Sequence, residues 1–520
     1  DGGGGSDGNV TISGTVDAST ATIEGLTLES GTSGDISVTG TIGGTTQLSS
    51  LDIDGDVVDL ADVGDADTVA VGGVTTVDAG TRIDFNGTTY KTNQATYTAP
   101  VGETLVMAAG ALTTFTTSDD QLAFSGGTID LANGSNVQAT TSGGAIVAQA
   151  GIGGTSDETV GLNASGGTTN TVDVGAIGNA DEILSVVVNA PGGMTSRGDI
   201  TTSSTAGGNQ VSVVGAMTVT ADRTIDTSAG NGAITIDAVD GNTAGDGLDV
   251  TLGAGAGTVT FETVGTDAAS DTVNELNVSG GTINVDGSIY TGEDGGTNIG
   301  SVALTGTVVL GVNVTVDTTD GGGGSDGNVT ISGTVDADSA ANDRYLVINT
   351  DTGVGAGSVT FADDVGATEP LDALHVDAAA ITVRNIDTED GSEINSVLGP
   401  GLAALDLRAD TGTLTIELID PDGAGASPLQ ANFVTTNETN GGEITVAAAG
   451  GIILDDPGNT GDGTVTFDTA AATTQGDITI AGAIDASGAD TTANALTLEA
   501  GAGGDISATA TLGNNDALNG

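Results

Sequence analysis

The sequence predicts an all-β fold, a right-handed parallel β-helix (β-solenoid) with Gly/Asp-rich turns. Three observations predict it: short segments of period-two alternation, closely spaced turn clusters, and extensive internal repetition. The alternation is plain in VTISGTV from Val10, DISVTGTI from Asp35, ITIDAV from Ile234, VTFETV from Val259, INVDGSI from Ile283 and LTIELI from Leu414. Branched apolar residues alternate there with Thr, Ser or Asp, as in strands with one buried face. Val, Ile and Thr favour extended backbone. Between these segments lie Gly, Asp, Asn and Ser, the residues of tight turns. No amphipathic helix is evident; stretches such as Ala108 to Thr113 are too short and too β-branched.

Repetition makes the second argument. DGGGGSDGNVTISGTVDA at Asp1 to Ala18 recurs unchanged at Asp320 to Ala337, an unbroken identity between two distant parts of the chain. LTLESGTSGDISVTGTIG from Leu26 resembles LTLEAGAGGDISATATLG from Leu496, and VTISGTVDAS from Val10 resembles ITIAGAIDAS from Ile478. A third family places Phe261, Phe361 and Phe467 at spacings of 100 and 106. These repeats suggest two related blocks, residues 1–319 and 320–520, cut from a longer repetitive protein. The start at Asp1, not Met, fits a processed or partial product.

The Phe spacing also raises a competitor, a string of immunoglobulin-like β-sandwiches of about 100 residues. Two features favour the solenoid. The strands are short and close together, and aromatics are only 2% of residues, so the bulky core of a sandwich is missing. Rungs of about 20 residues stacked about 4.8 Å apart would give about 26 rungs and a rod of about 120 Å.

Composition narrows the functional classes. Asp plus Glu number 71 against 7 Lys plus Arg, a net charge of -64. Such a surface repels nucleic acid and anionic lipid. High net charge alone would suggest disorder, but the patterned Val, Ile and Thr argue against it. Cysteine is absent, which removes disulfides and thiolate chemistry. No apolar run reaches the length of a membrane span.

The Gly-flanked strands GNVTISGTVDAS from Gly8, GGTINVDGSIYTGED from Gly280 and GDITIAGAIDASGAD from Gly476 resemble repetitive bacterial surface proteins of the filamentous-haemagglutinin and large-adhesin type. The resemblance is one of style across most of the chain. It implies a right-handed β-helix displayed outside the cell. The chain departs from the common pattern in lacking the many Asn and Lys residues often seen there. Its acidity resembles that of surface-layer proteins and of proteins from saline habitats.

Candidate sites are few. The single histidine, His375, lies in LDALHVDA without an evident nucleophile, so it reads as an ordinary strand residue facing solvent or partly packed. Paired carboxylates abound, but the aromatic platforms and basic residues of a glycosidase groove do not, so the chain reads as no enzyme. Calcium is the cofactor the sequence leaves open. Asp52, Asp54, Asp56 and Asp59 in LDIDGDVVDL, and Asp387, Glu389 and Asp390, supply closely spaced hard oxygens. Smaller groups are Asp62 with Asp65 and Asp67, Asp420 with Asp422, and Asp455 with Asp456. Solvated turns would look the same. The tract Gly2 to Gly5, repeated at Gly321 to Gly324, lacks the Lys-Ser or Lys-Thr of a phosphate loop and reads as a surface loop at a repeat boundary. Tyr90, Tyr97, Tyr290 and Tyr345 are too scattered to announce a binding stripe.

The expected function is therefore that of a non-catalytic extracellular or cell-surface structural protein: a filament, sheath, stalk or matrix. The alternatives are an adhesin that binds glycan or a host protein, and a surface-layer lattice protein. Self-association into a fibre or lattice is the expected partnership.

Overall fold

The computed structural model describes residues 7–107, 110–118, 120–132, 134–155, 157–178, 182–203, 210–242, 247–266, 273–292, 300–319, 326–339, 342, 344–350, 357–389, 403–418, 429–435, 442–455, 463–469, 476–486, 495–501 and 503–509. Among these residues every strand pairing is parallel, from Val10–Ile12 on Ile36–Val38 to Ile478–Ala481 on Ile506–Ala508. The chain forms a right-handed parallel β-solenoid. Parallel pairing throughout rules out the immunoglobulin-like sandwich, whose sheets are antiparallel.

Two compact units are distinguished, residues 1–240 with 251–257, and residues 241–250 with 258–520; the duplication boundary at 319/320 lies within the second. In the first unit each turn carries three strand segments. One column stacks Ile36, Val58, Ile83, Leu105 and Ile129. A second stacks Leu26 and Leu51. A third stacks Val16, Ile42, Val63 and Tyr90 by single bridges. Alternation then does its work: Leu51, Ile53, Val58 and Leu60 are at most 1% exposed, while Asp52 and Asp54 between them face solvent.

Rungs are longer and less regular than the strand spacing suggests. Val10 meets Ile36, and Ile36 meets Val58. In the second unit the rungs lengthen: Leu374 meets Leu405, and Leu405 meets Ile444. The repeated phenylalanines are all core residues, but they mark no domain. Phe261 pairs with Val285, Phe361 with Ile331, and Phe467 with both Phe433 and Leu498.

The corners explain the glycine content. At Gly327 a Cβ would overlap the carbonyl of Gly300 one rung below, and at Gly357 that of Gly327. Only glycine allows the rungs to approach so closely there. Loops are latched at their base by a buried hydroxyl that donates across the turn. Thr227 Oγ1 donates to Gly232 O at 2.7 Å, Thr318 to Gly327 at 2.9 Å, Thr435 to Gly442 at 2.7 Å and Thr469 to Gly476 at 2.7 Å. The latch closes loops of different length with one geometry, so rung length varies without loss of stacking.

Aromatics are scarce yet concentrated. Phe85, Tyr90, Tyr97, Phe115 and Phe124 fill the interior of adjacent rungs, with ring centroids 4.8 to 5.7 Å apart for most pairs. Such edge and stacked pairs add about 0.5–1.5 kcal/mol each beyond area burial. Of the four tyrosines that look scattered in sequence, Tyr90, Tyr97 and, elsewhere, Tyr345 are thus buried in the core. Tyr90 Oη donates to Leu60 O at 2.9 Å and accepts from Gly87 N at 3.0 Å. Burial pushes the pKa of the Tyr90 and Tyr97 phenols far above its ordinary value, so both stay un-ionised.

Candidate functional site

The acidic residues fall into three structural situations. The first is the bracket. Asp17 Oδ1 accepts from Thr45 N and Thr46 N of the next rung at 2.8 and 3.0 Å. Asp62 Oδ1 accepts from Thr88 N and Thr89 N at 2.7 and 2.9 Å, and Asp336 Oδ1 from Thr368 N and Glu369 N at 2.9 and 3.3 Å. Each satisfies two backbone donors where the ladder breaks at a corner. Asp65 does the same within its own turn, accepting from Asp67 N and Thr68 N, and these bonds lower its pKa. Two members of the Asp62, Asp65 and Asp67 group are therefore turn acceptors.

The second situation is the outward column. Asp52 stands between Thr27 and Thr76, and Asp54 between Glu29 and Asp78. Neighbouring rungs lie about 4.8 Å apart, so carboxylates stack in line instead of converging. Asp56 sits at the bend and accepts from Thr81 Oγ1 at 2.5 Å. Asp59 belongs to the next side of the turn, in register with Ser37 and Asp84. Its pKa is raised by burial, then by a hydrogen bond with Asp84 and repulsion from it, with Arg82 opposing. The four residues Asp52, Asp54, Asp56 and Asp59 thus spread along a bent strand. Among the described residues no group of three or more His, Cys, Asp or Glu side chains has metal-holding geometry.

Asp387 is partly buried in the strand Ile386–Thr388, and burial pushes its carboxyl up to about 6. Glu389 follows it, with its N–H donated to Leu371 O at 2.6 Å. Asp390, Asp420, Asp422 and Asp456 lie outside the described residues, as do both tetraglycine tracts.

The third situation is a groove on the second unit. The strands Tyr345–Asn349, Ala373–Ala378 and Leu405–Ala409 stack in register. Alternation sends two columns outward: Val347, His375 and Asp406, and beside them Asn349, Asp377 and Arg408. These six residues line an open depression of about 330 Å³. Arg408 grips Asp406 with Nε on Oδ1 at 3.0 Å and Nη2 on Oδ2 at 2.5 Å; Asp406 is 8% exposed and Arg408 52%. The forked contact holds the guanidinium in one orientation. The side chain of His375 places Nε2 at 2.5 Å from Ala403 O. A carbonyl only accepts, so Nε2 carries the hydrogen and Nδ1 of the neutral ring is an acceptor. Sequence reasoning missed this grouping because its members, such as Val347, His375 and Asp406, lie a whole rung apart along the chain. The scarcity of basic residues was the one signal available.

No family model, curated protein or solved structure matches the chain. Among the described residues no helix is long and apolar enough to cross a membrane.

Proposed function

We propose that the chain is a non-catalytic structural segment of an extracellular or cell-surface filament, sheath or matrix, extended rung upon rung by further copies of the same design. One observation carries the reading. The strand Val10–Ile12 has one neighbour among the described residues, Ile36–Val38, and is only half-buried. Its sequence is that of Val329–Ile331, which lies between Val302–Leu304 and Val359–Phe361 and is buried. The strand Ile506–Ala508 behaves alike: it is exposed, whereas the similar Ile36–Val38 is covered by Val58–Leu60. The same strand sequence thus serves with a rung on one side and with rungs on both, so rungs of this design add to one another without a change of strand sequence. Repetition of such rungs builds an elongated body.

The acidic columns bear on how such fibres associate sideways. A charge of -64 keeps them apart unless cations screen or bridge them. Calcium bridging through Asp52, Asp54, Asp387 and their neighbours is part of the proposal.

Electron microscopy of the native material tests it, first with calcium and then with a chelator. Fibres or lattices that loosen on chelation are the expected result. Isolated particles at all concentrations, indifferent to calcium, would sink both the assembly and the bridging.

A further inference from the structure

We infer that the groove over Tyr345–Asn349, Ala373–Ala378 and Leu405–Ala409 is a binding site for a neutral saccharide. This goes beyond the structural role and does not depend on assembly, since all the residues belong to one unit of one chain.

Placement is the first argument. Thr315 and Asp317 stand in the same two outward columns below the groove, with Tyr290 a rung further down, and Thr445 and Ala447 continue them above it. Thr315, Thr445 and Ala447 are partly exposed strand residues, and Asp317 accepts from Thr319 in its own turn. Only in the three intervening rungs do the columns hold the chain's single histidine and one of its 7 basic residues. An ion pair with one member 8% exposed is costly to desolvate and adds little net stability. Stacking does not require it, because other rungs manage with Thr and Ser.

Chemistry is the second argument. Arg408, half exposed, has donors to spare beyond the two that grip Asp406. His375 offers Nδ1 as an acceptor in a ring held by Ala403. Fixed donors and fixed acceptors one rung apart, above the apolar side chain of Val347, suit a ligand whose every polar atom both gives and takes. Hydroxyl groups on a sugar ring do that, and the ring's C–H face suits the valine. The depression of about 330 Å³ is at the small end of ligand sites, enough for one or two rings.

Other ligand classes fit less well. The charge of Arg408 is matched by Asp406, and Asp377 stands alongside, so a phosphate or acidic sugar meets net negative charge. No trio of metal ligands is present among the described residues. No aromatic lines the depression to hold an apolar molecule.

The chain supplies its own probe, because His375 is its only histidine. Histidine-labelled protein is titrated by NMR with maltotriose, cellotriose, mannotriose and triacetylchitotriose, and separately with calcium chloride and sodium phosphate. A saturable shift of the His375 ring signals with at least one trisaccharide is expected, at a Kd of about 1 mM given the open groove. Val347→Glu places a charge on the floor without touching the polar residues; it should weaken that binding about tenfold or more, with an unchanged circular dichroism spectrum. No shift with any trisaccharide overturns the inference. So does a shift with calcium or phosphate alone, or saccharide binding that Val347→Glu leaves intact. None of these outcomes is moved by whether the chain forms fibres.

Discussion

Residues 7–18 and 326–337 have one sequence and two environments. Both form the same strand, Val10–Ile12 and Val329–Ile331, and both make the same bonds to the rung above. Asn9 Oδ1 accepts from Asp35 N at 3.0 Å, and Asn328 Oδ1 from Ser358 N at 2.8 Å. Asp17 and Asp336 each bracket two N–H groups. The turns agree as well: Gly43 and Gly366, each following the residue bridged to Val16 or Val335, adopt φ of 64° and 73°. The copies differ in burial and in the rung below: Val329–Ile331 and Val335–Ala337 pair with Val302–Leu304 and Val308–Leu310, whereas Val16 makes one bridge, to Ile42. Val329 and Ile331 are 0% and 1% exposed, whereas Val10 and Ile12 are half-buried. Local sequence therefore dictates conformation and the upward bonds, while the number of neighbouring rungs dictates energy. This is the nearest-neighbour behaviour of a solenoid.

The comparison breaks most sharply at the isoleucines. Ile331→Ala should cost about 3–4 kcal/mol, the transfer term plus a cavity between two rungs. Ile12→Ala should cost less, about 1–2 kcal/mol, since its side chain is partly exposed and packs against a rung on one side. Urea unfolding of the two variants measures the difference; equal costs would show that the two rungs are energetically alike.

Glycine gives the next test. A Cβ at Gly8 meets nothing within 4 Å, while one at Gly327 overlaps the backbone of Gly300. Gly327→Ala should destabilise by about 1–3 kcal/mol through overpacking against a rigid carbonyl. Gly8→Ala should be neutral. Thermal unfolding, read as a shift in midpoint, separates them.

The brackets follow. Asp336 is itself buried, and Asp336→Ala removes the acceptor of two N–H groups and leaves a small void, at a cost of about 1–2 kcal/mol. Asp17 is exposed, so water replaces it more readily and Asp17→Ala should cost about half as much. Amide exchange at Thr368 and Thr45 reports each loss directly.

Much of this was legible in the sequence. Alternation in VTISGTV fixes which residues face inward, and the repeats with their short strands point to stacked rungs. What could not be read is whatever depends on register between distant segments. His375 and Arg408 are brought together because Asp406 falls in register with His375. Loops set that register, and loop length carries no periodic signal. The same holds for Phe85, Tyr90 and Phe115, which converge only because three sides of the turn face one interior. Acidic motifs mislead for a related reason. LDIDGDVVDL looks like a chelating loop, but as a strand with a bend it sends Asp52 and Asp59 out from different sides of the turn.

The smallest expected effect concerns pH, and it separates the surroundings of the two copies. Each has an aspartate with raised pKa on a rung further along, Asp59 above the first and Asp387 above the second. Burial leads in both, but Asp59 is also pressed by Asp84, whereas Asp387 is raised by burial alone. A carboxyl raised in the folded state binds protons more tightly there than in the unfolded chain. Its stabilising contribution is full below the unfolded value of 3.8 and is lost as pH rises through about 6. These two groups should therefore lower stability from pH 4 to pH 7, against the opposite contribution of Glu24, Asp65 and Asp338, whose pKa values are lowered. Asp387→Asn should remove about 1 kcal/mol of that fall, a figure discounted for the solvent that still reaches the group. Salt discriminates the two sites, because it screens repulsion but leaves desolvation in place. Asp59→Asn should flatten the pH dependence mainly at low ionic strength, and Asp387→Asn equally at low and high. Unfolding midpoints of both variants at pH 4 and pH 7, each in low and high salt, decide the matter. If salt erases both effects, charge repulsion and not burial governs the second copy's surroundings.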